Sequence, residues 1–444
     1  MISPLSSRRR RAARGFTLVE LMISLVMGLI VAMAAVALAK SATTSFHEQA
    51  RSSVTEMAVR MASERLRQDL SRIGYMSTGN IQKDPNVARR LGVPDASVSR
   101  YTDIPLLRSV AIHRGETAVP PPPPVAATNH LAPDSIDIVG NLTTDDQYSG
   151  TIYTGGCGQI VRLDPMADAA VFALSGGDVG NSAGRFDAAA RAAFLPQAGQ
   201  DFLAQVTDAM GCKHYVPVCS VTLTPGSTGA SSYLLIGIDA GKPMSDTGST
   251  TPRGVLYSNS SDTIGLAGNC GSSEMGQVTI APLSRVRWSL AQNTLTELDP
   301  SLNDEPAGNK YNIVRQRYDW TGTVPSGAPE IIAEFGVDLK FGFTYAMPGA
   351  PHNIGIADLD SDPALFKSIT EDPTLPGARG PQHLRSIRYR VAVRTSVADR
   401  DANLTVAPVP YISRYCADTA CKKFSRVRTI VSEVALMNQA GMSW

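Results

Sequence analysis

Apolar residues are concentrated in one uninterrupted segment near the N-terminus. Between Phe16 and Ala39 the one ionisable side chain is Glu20, and no proline interrupts the run. At about 1.5 Å per residue, a helix of this length reaches about 36 Å, enough to cross a hydrocarbon core of about 30 Å. The pattern predicts a membrane-spanning helix.

The helical period continues after the apolar run. The interval from Ser41 to Ile73 contains neither proline nor glycine. Its apolar residues recur mainly at spacings of three and four, which places them on one helical face: Phe46, Ala50, Val54, Met57, Met61, Leu66, Leu70 and Ile73. Charged residues, Asp69 among them, are assigned to the opposite, solvent-facing side. Gly74 follows as a C-terminal cap, so one helix is predicted from about Thr17 to Ile73.

Beyond Gly74 the sequence turns to short segments typical of strands. Strands are predicted at Ser135–Val139, Gln159–Leu163, Val218–Leu223, Ser232–Ile238, Gly254–Ser258, Val278–Ile280, Ser284–Leu290, Leu295–Leu298 (after a turn at Asn293 and Thr294), Leu384–Thr395 and Val427–Leu436. Short helices are predicted at Asp187–Leu195 and Asp201–Met210, and the run Pro120 to Pro124 predicts an extended polyproline loop. The expected fold class is α+β.

The junction between the basic leader and the apolar run carries a specific motif. Its residues are Gly15-Phe16-Thr17-Leu18-Val19-Glu20-Leu21, and they resemble the class III signal of type IV prepilins and type II secretion pseudopilins. The resemblance implies cleavage after Gly15 by prepilin peptidase, N-methylation of Phe16 and a role for Glu20 in subunit assembly. Unlike a Sec signal, this arrangement places the small residue before the apolar helix, which is therefore retained.

Glu20 is costly inside a bilayer, by about 3 kcal/mol at the centre and less near the edge. The positive N-terminal amine of a neighbouring subunit is a suitable partner for it. The alternative is that Glu20 extends to the lipid headgroups from the end of an ordinary anchor.

The helix end, Arg67–Tyr75, resembles that of PilW-type minor pilins and J-type pseudopilins. Three further segments resemble PilW-like proteins: Pro133–Ile138, Glu330–Tyr345, and Leu384–Thr395 with Arg394 near its end. Two positions depart from the family pattern, Ile73 in place of alanine and the Leu436-Met437-Asn438 ending without arginine.

The resemblance implies a pilin-like plan in which a long helix packs on an antiparallel head that carries a large insertion. Its expected divisions are a removed leader (1–15), the transmembrane half of the helix (16–39), its amphipathic half (40–75), and a β-rich head (76–444) with an elaborated region (76–280) and late strands (281–444).

The function that the resemblance implies is that of a minor type IV pilin in a priming or tip complex, because a large head would clash in a densely repeated filament. Its partners would be prepilin peptidase, other minor pilins, the major pilin and the inner-membrane assembly platform. The arginine-rich leader favours a cytoplasmic N-terminus and a periplasmic head, followed by export into the extracellular pilus. Alternatives are a J-type pseudopilin, a pilus-tip adhesin and an anchored periplasmic enzyme.

Charge and motif content favour a non-catalytic protein. The formal net charge is +1, which gives no indication of a nucleic-acid partner, and the arginines of Leu384–Thr395 are interpreted as a solvated strand face. No catalytic motif has a supporting context, and the six histidines are scattered. No enzyme activity and no cofactor are predicted.

The six cysteines are expected to form disulfides in an oxidising periplasm. Spacing favours Cys416 with Cys421 and Cys212 with Cys219, which leaves Cys157 with Cys270. Zinc is disfavoured because no Cys-x-x-Cys pair is present, although His214 lies near Cys212.

Asp358, Asp360 and Asp362 alternate as in a calcium loop. Pro363 stands where glycine is expected, and Ile369 stands where the loop needs glutamate, so an acidic surface turn is the favoured interpretation.

Overall fold

The computed structural model describes residues 17–81, 83–87, 107–115, 131–155, 158–163, 183–197, 202–208, 211, 213–224, 233–238, 277–292, 310–320, 322–347, 350–359, 363–371, 380–396, 414–416 and 424–439. The chain divides into two compact units, Met1–Val54 and Thr55–Trp444. The division falls within the first helix, α1, which extends from Leu18 to Ser71. The predicted long helix is therefore confirmed, with ends that differ by one or two residues.

The first unit consists of the first part of α1 as far as the structure describes it. Its most apolar window has a mean hydropathy of 2.7, and none of that window is buried in the structure. Among the described residues, α1 is the one helix long and apolar enough to span a membrane.

The second unit is built mainly from antiparallel strands. In chain order these are β1 (Val110–His113), β2 (Ser135–Gly140), β3 (Tyr148–Gly155), β4 (Gly158–Leu163), β5 (Phe202–Thr207), β6 (Lys213–Thr224), β7 (Tyr233–Ile238), β8 (Gln277–Gln292), β9 (Tyr311–Tyr318), β10 (Pro325–Ala333), β11 (Gly336–Met347), β12 (Ala350–Ala357), β13 (Leu384–Arg394), β14 (Arg414–Cys416) and β15 (Phe424–Ala435). Two further helices are α2 (Ala183–Phe194) and α3 (Pro363–Phe366), and a π-helical turn, Lys367–Glu371, follows α3. Short 3-10 turns lie at Pro381–His383 and Met437–Gln439.

Strand β8 takes part in two different assemblies. Its first half pairs with β3 on one edge and with β5 on the other. The order β8-β3-β4-β7-β6-β5 then returns to β8, which closes a six-stranded barrel that we call the barrel. The second half of β8 pairs with β2 and β9, and with β1 and β10 at the edges it forms the spine sheet.

A separate five-stranded sheet, the C-terminal sheet, has the order β12-β11-β13-β15-β14. The second half of α1 buries Val59, Ala62, Leu66 and Leu70 in one core with apolar residues of the spine sheet and the C-terminal sheet. The barrel has its own core, which α2 joins through Ala190, Ala193 and Phe194.

The buried face of α1 differs in part from the predicted one. Leu66, Leu70 and Ile73 are buried as predicted, but Met57 and Met61 are 65% and 58% exposed. Their places in the core are taken by Val59 and Ala62. The sequence offers two apolar stripes at helical spacing, and only contact with the sheets decides which of them is buried.

One helix prediction was wrong, and two predicted strands proved to be one. Asp201–Met210, predicted as a helix, contains β5, because pairing with β6 and β8 in the barrel overrides an ambiguous short apolar pattern. The segments Val278–Ile280 and Ser284–Leu290 form the single strand β8. Pro282 lies between Ile280, the last residue paired with β3, and Ser284, the first paired with β2. Pro282 has no N–H to donate, and on this edge of β8 it is paired with neither β3 nor β2, so no interstrand hydrogen bond is lost there.

The other element predictions have mixed outcomes. The predicted strands at 135–139, 159–163, 218–223, 232–238, 384–395 and 427–436 and the helix at 187–195 are confirmed. Gly254–Ser258, Leu295–Leu298, the turn at Asn293 and Thr294, and the polyproline run lie outside the described residues.

Gly140, at the end of β2, allows the end of α1 to approach the spine sheet. A Cβ atom at this position would lie 2.5 Å from the carbonyl oxygen of Arg72. Gly140→Ala is therefore expected to lower the free energy of unfolding by about 1–3 kcal/mol, because backbone must shift to admit the methyl group. The measurement is urea unfolding of the full chain in detergent, followed by tryptophan fluorescence.

Gly28→Ala provides the control, since nothing lies within 4 Å of a Cβ there. Equal stability of the Gly140 variant and the wild type would contradict the close approach.

Candidate functional site

The described part of the N-terminal signal begins with a helix cap. The carbonyl oxygen of Thr17 accepts the N–H of Leu21 at 3.1 Å. The Thr17 N–H donates to Glu20 Oε2 at 3.0 Å, and the Glu20 N–H donates to Thr17 Oγ1 at 3.2 Å. This reciprocal pair is a capping box, which satisfies backbone donors that a helix start leaves unpaired. Gly15 and Phe16 lie outside the described residues.

The second half of α1 is fixed to the spine sheet by a buried carboxylate. Asp69 is 4% exposed, which corrects its assignment to the solvent-facing side. Its Oδ2 accepts Trp288 Nε1–H at 2.8 Å and Arg315 Nε–H at 2.7 Å. No local pattern predicts this contact, because the partners lie more than two hundred residues away on β8 and β9.

The end of α1 is capped by residues from distant parts of the chain. Gly74 adopts a positive φ of 69°, as its predicted capping role requires. The Asn438 side-chain amide donates to the carbonyl oxygens of Ser71 and Ile73 at 3.0 and 3.3 Å. Tyr75 turns back onto the head, where its hydroxyl donates to the Asp145 carbonyl at 2.8 Å. The ending that lacks the family's arginine thus still supplies an asparagine that caps the helix.

A second buried carboxylate, Asp137 on β2, holds two arginines of β8. Its oxygens accept Arg285 at 2.6 Å and Arg287 at 2.5 and 2.8 Å. Burial alone would raise the pKa of Asp137, but the charge of Arg285, the hydrogen bonds from Arg287 and the nearby His113, whose Nε2 lies 3.6 Å away, hold that pKa well below its usual value of 3.8.

A third group of buried charges joins β2 to the C-terminal sheet. Asp134 accepts Arg114 at 2.9 Å and Lys340 at 3.4 Å, and Asp338 accepts Arg390 Nε at 2.6 Å. Burial raises the pKa of Asp338 more than Arg390 and Lys340 lower it, and the charge of Asp134 adds to the rise. Burial likewise raises the pKa of Asp134, against the charges of Lys340 and Arg114.

The arginines of β13 are not a solvated stripe, which corrects the interpretation from sequence. Arg394 is 2% exposed and lies 5.2 and 5.4 Å from the ring centres of Phe335 and Tyr415. Arg388 is partly exposed and pairs with Asp358 and Glu433 at 3.1 and 3.3 Å. The alternation of polar and apolar residues along β13 predicts one solvated face. Both faces of the C-terminal sheet carry packed residues, so that prediction fails.

The remaining candidate residues are only partly described. Cys219 and Cys416 are each in a disulfide. Cys157, Cys212, Cys270 and Cys421 lie outside the described residues, so the predicted pairings stay predictions. Asp358 is exposed and pairs with Arg388, whereas Asp360 and Asp362 also lie outside. In the described part of the chain, no cluster of three or more potential ligands is placed to hold a metal ion.

Comparison with known proteins identifies the N-terminal segment. A family model described as the prokaryotic N-terminal methylation motif matches residues 10–36. No curated protein and no solved structure matches the chain significantly. The motif is a prepilin-type signal, and with the apolar helix α1 it supports a type IV pilin-like protein that prepilin peptidase processes and a membrane anchors.

Replacing Asp69 tests its role in attaching α1 to the spine sheet. Asp69→Asn is expected to lower the free energy of unfolding by about 3 kcal/mol, because it removes the buried carboxylate that pairs with Arg315 and leaves this guanidinium only the half-exposed Glu330, at 3.3 Å. Glu64→Gln is the matched control on the same helix. Its pair with Arg67 is exposed and 3.8 Å long, so a change of about 0–1 kcal/mol is expected. Equal effects of the two substitutions in urea unfolding would contradict this role.

The lowered pKa of Asp137 predicts a pH dependence of stability. Because its pKa is lower in the folded than in the unfolded state, ionised Asp137 stabilises the fold above the unfolded value. This stabilisation is lost as the pH falls through the folded pKa. The stability difference between wild type and Asp137→Asn is therefore expected to be constant above about pH 5 and to shrink below about pH 4.

Asp338→Asn provides a control of opposite sign. Since the pKa of Asp338 is raised, the wild type should gain stability relative to this variant as the pH falls through a value above 3.8. Parallel pH profiles for the two variants, measured by thermal unfolding, would refute both assignments.

Proposed function

We propose that this protein is a PilW-like minor type IV pilin that acts in pilus assembly, within a priming or tip complex. In this proposal the leader is removed after Gly15, Phe16 is N-methylated, and the chain enters the inner membrane with its N-terminus cytoplasmic and its head periplasmic. It then joins other minor pilins and the major pilin at the assembly platform. Its role is structural rather than catalytic.

The observation that carries the proposal is the continuity of signal, anchor and head in one helix. The methylation motif covers residues 10–36, and α1 continues from it as far as Ser71. From Thr55 onwards the same helix is part of the compact head, where Asp69 and Leu70 bind it to antiparallel strands. A helix that is apolar at one end and docked on a sheet at the other is what a subunit held in a membrane before assembly requires.

The surroundings of Glu20 support a role for this residue in assembly. Within the described residues its carboxylate accepts the Thr17 N–H and the Thr17 hydroxyl at 3.0 and 3.1 Å. Both donors are neutral, so the negative charge itself is not compensated there. In a bilayer that charge is costly, and the N-terminal amine of a neighbouring subunit would offset the cost.

The size of the head supports a position at the tip. The barrel is inserted between β2 and the second half of β8, and it adds a separately packed core to the two sheets that hold α1. Such bulk beside each helix would hinder close repetition of subunits along a filament. A subunit used once, at the end, meets no such restriction.

Mass spectrometry of sheared surface filaments tests the proposal. A peptide that begins with N-methylated Phe16 is expected in the filament fraction. Recovery of that peptide from membranes alone would instead favour the J-type pseudopilin of a type II secretion system. A chain that still begins near Met1 would overturn processing by prepilin peptidase. A variant with Gly15→Leu, in which the small residue before the cleaved bond is lost, serves as the unprocessed control.

A further inference from the structure

An arginine-lined cleft lies in the head between the end of α1, strand β9, the loop after β2 and helix α2. Its volume is about 780 Å³, within the range of about 300–1,000 Å³ typical of small-molecule sites. Four arginines line it: Arg65, Arg72, Arg315 and Arg317. Much of the remaining lining is polar, including Gln68, Thr143 and Thr144, and α2 contributes an alanine face that includes Ala192.

Positive charge exceeds negative charge in this cleft. Arg72 pairs with Asp145 at 2.5 Å. Arg315 pairs with Asp69 and Glu330, and Arg65 reaches the same Glu330 at 3.8 Å. Three carboxylates thus pair with three of the four arginines, and Arg317 is the fourth.

Arg317 is half-buried and has no carboxylate within ion-pair distance among the described residues. Its one hydrogen bond there is long, from Nη1 to the Ala192 carbonyl oxygen at 3.5 Å. Burial lowers the pKa of Arg317, and the nearby charge of Arg315 lowers it further, against smaller opposing effects of Glu330 and Asp69. A guanidinium in this position has donors to spare and a surrounding field that favours an anion.

We infer that this cleft binds a small polar molecule that carries an oxyanion, either a carboxylate or a phosphate, with Arg317 as the main contact. The planar guanidinium fork matches both groups and binds them through paired, charge-assisted hydrogen bonds. The cleft is too large for a bare ion alone, and its hydroxyl and amide groups suit the polar body of the ligand. None of the lining residues belongs to the N-terminal signal.

The position of the cleft gives ligand binding a structural consequence. Arg317 is on the spine sheet, whereas Ala192 is on the helix that packs on the barrel core. Across the same junction, Gln197 Oε1 accepts the Gly327 N–H at 2.7 Å. An anion held by Arg317 beside α2 would add a further link between the barrel and the spine sheet.

Isothermal titration calorimetry of the full chain in detergent tests the inference with three probes. Inorganic phosphate and glucuronate represent the two oxyanions, and glucose is the uncharged comparison for glucuronate. Saturable binding of phosphate, of glucuronate or of both is expected, and the probe that binds identifies the oxyanion. Glucose is expected to give no heat of binding. Absence of saturable binding for both anions at millimolar concentration would overturn the inference.

Two substitutions in the cleft and one outside it separate specific binding from general attraction. Arg317→Gln should weaken binding of the anion at least about tenfold, since hydrogen bonds to charged groups are worth about 1.5–3 kcal/mol. Ala192→Glu places a carboxylate beside Arg317 at an exposed position and should abolish binding without disturbing the fold. Arg67→Gln removes an exposed arginine of α1 that does not line the cleft, so binding should be unchanged. An equal loss in the Arg67 and Arg317 variants would overturn the inference.

Discussion

The fold of the head depends on one buried carboxylate that is shared between α1 and the spine sheet. A carboxylate removed from water is stable only when charged or polar donors replace the lost hydration. Asp69 meets this requirement through Trp288 on β8 and Arg315 on β9. Both contacts form together only when β8 and β9 are paired in this register, so the docking of the second half of α1 depends on the pairing of strands far along the chain.

Strand β8 extends that coupling to the inserted barrel. Its second half carries Val286, Trp288 and Leu290 into the core beneath α1, and its first half carries Val278 and Ile280 into the barrel core. A single strand thus belongs to both the barrel and the spine sheet. The two are joined by this shared strand and its backbone hydrogen bonds rather than by a linker. Pro282 marks the change of neighbours along one edge of the strand.

Local signals in the sequence predicted most elements, and long-range contacts explain where they failed. Leu66, Leu70 and Gly74 were placed correctly because periodicity and a capping glycine are local properties. The helical pattern assigns Met57 to the core, because no local pattern shows which apolar stripe contacts a sheet. It assigns Asp69 to solvent, because the hydrogen bonds from Trp288 and Arg315 come from residues distant in the sequence. The closed barrel was likewise beyond prediction, since its closure depends on β5 pairing with the distant β8.

Two of the carboxylates of α1, Asp69 and Glu20, illustrate how environment assigns different roles to similar groups. The Asp69 carboxylate accepts hydrogen bonds from the Arg315 guanidinium and the Trp288 N–H of its own chain, and the Arg315 charge compensates its own. Glu20 accepts hydrogen bonds only from the N–H and the hydroxyl of Thr17, as far as the described residues extend. Neutral donors lower the cost of a carboxylate in an apolar medium but leave its charge in place, so a cation still gains free energy by approaching. Of the two, Glu20 is therefore the carboxylate whose negative charge is left without a cation among the described residues.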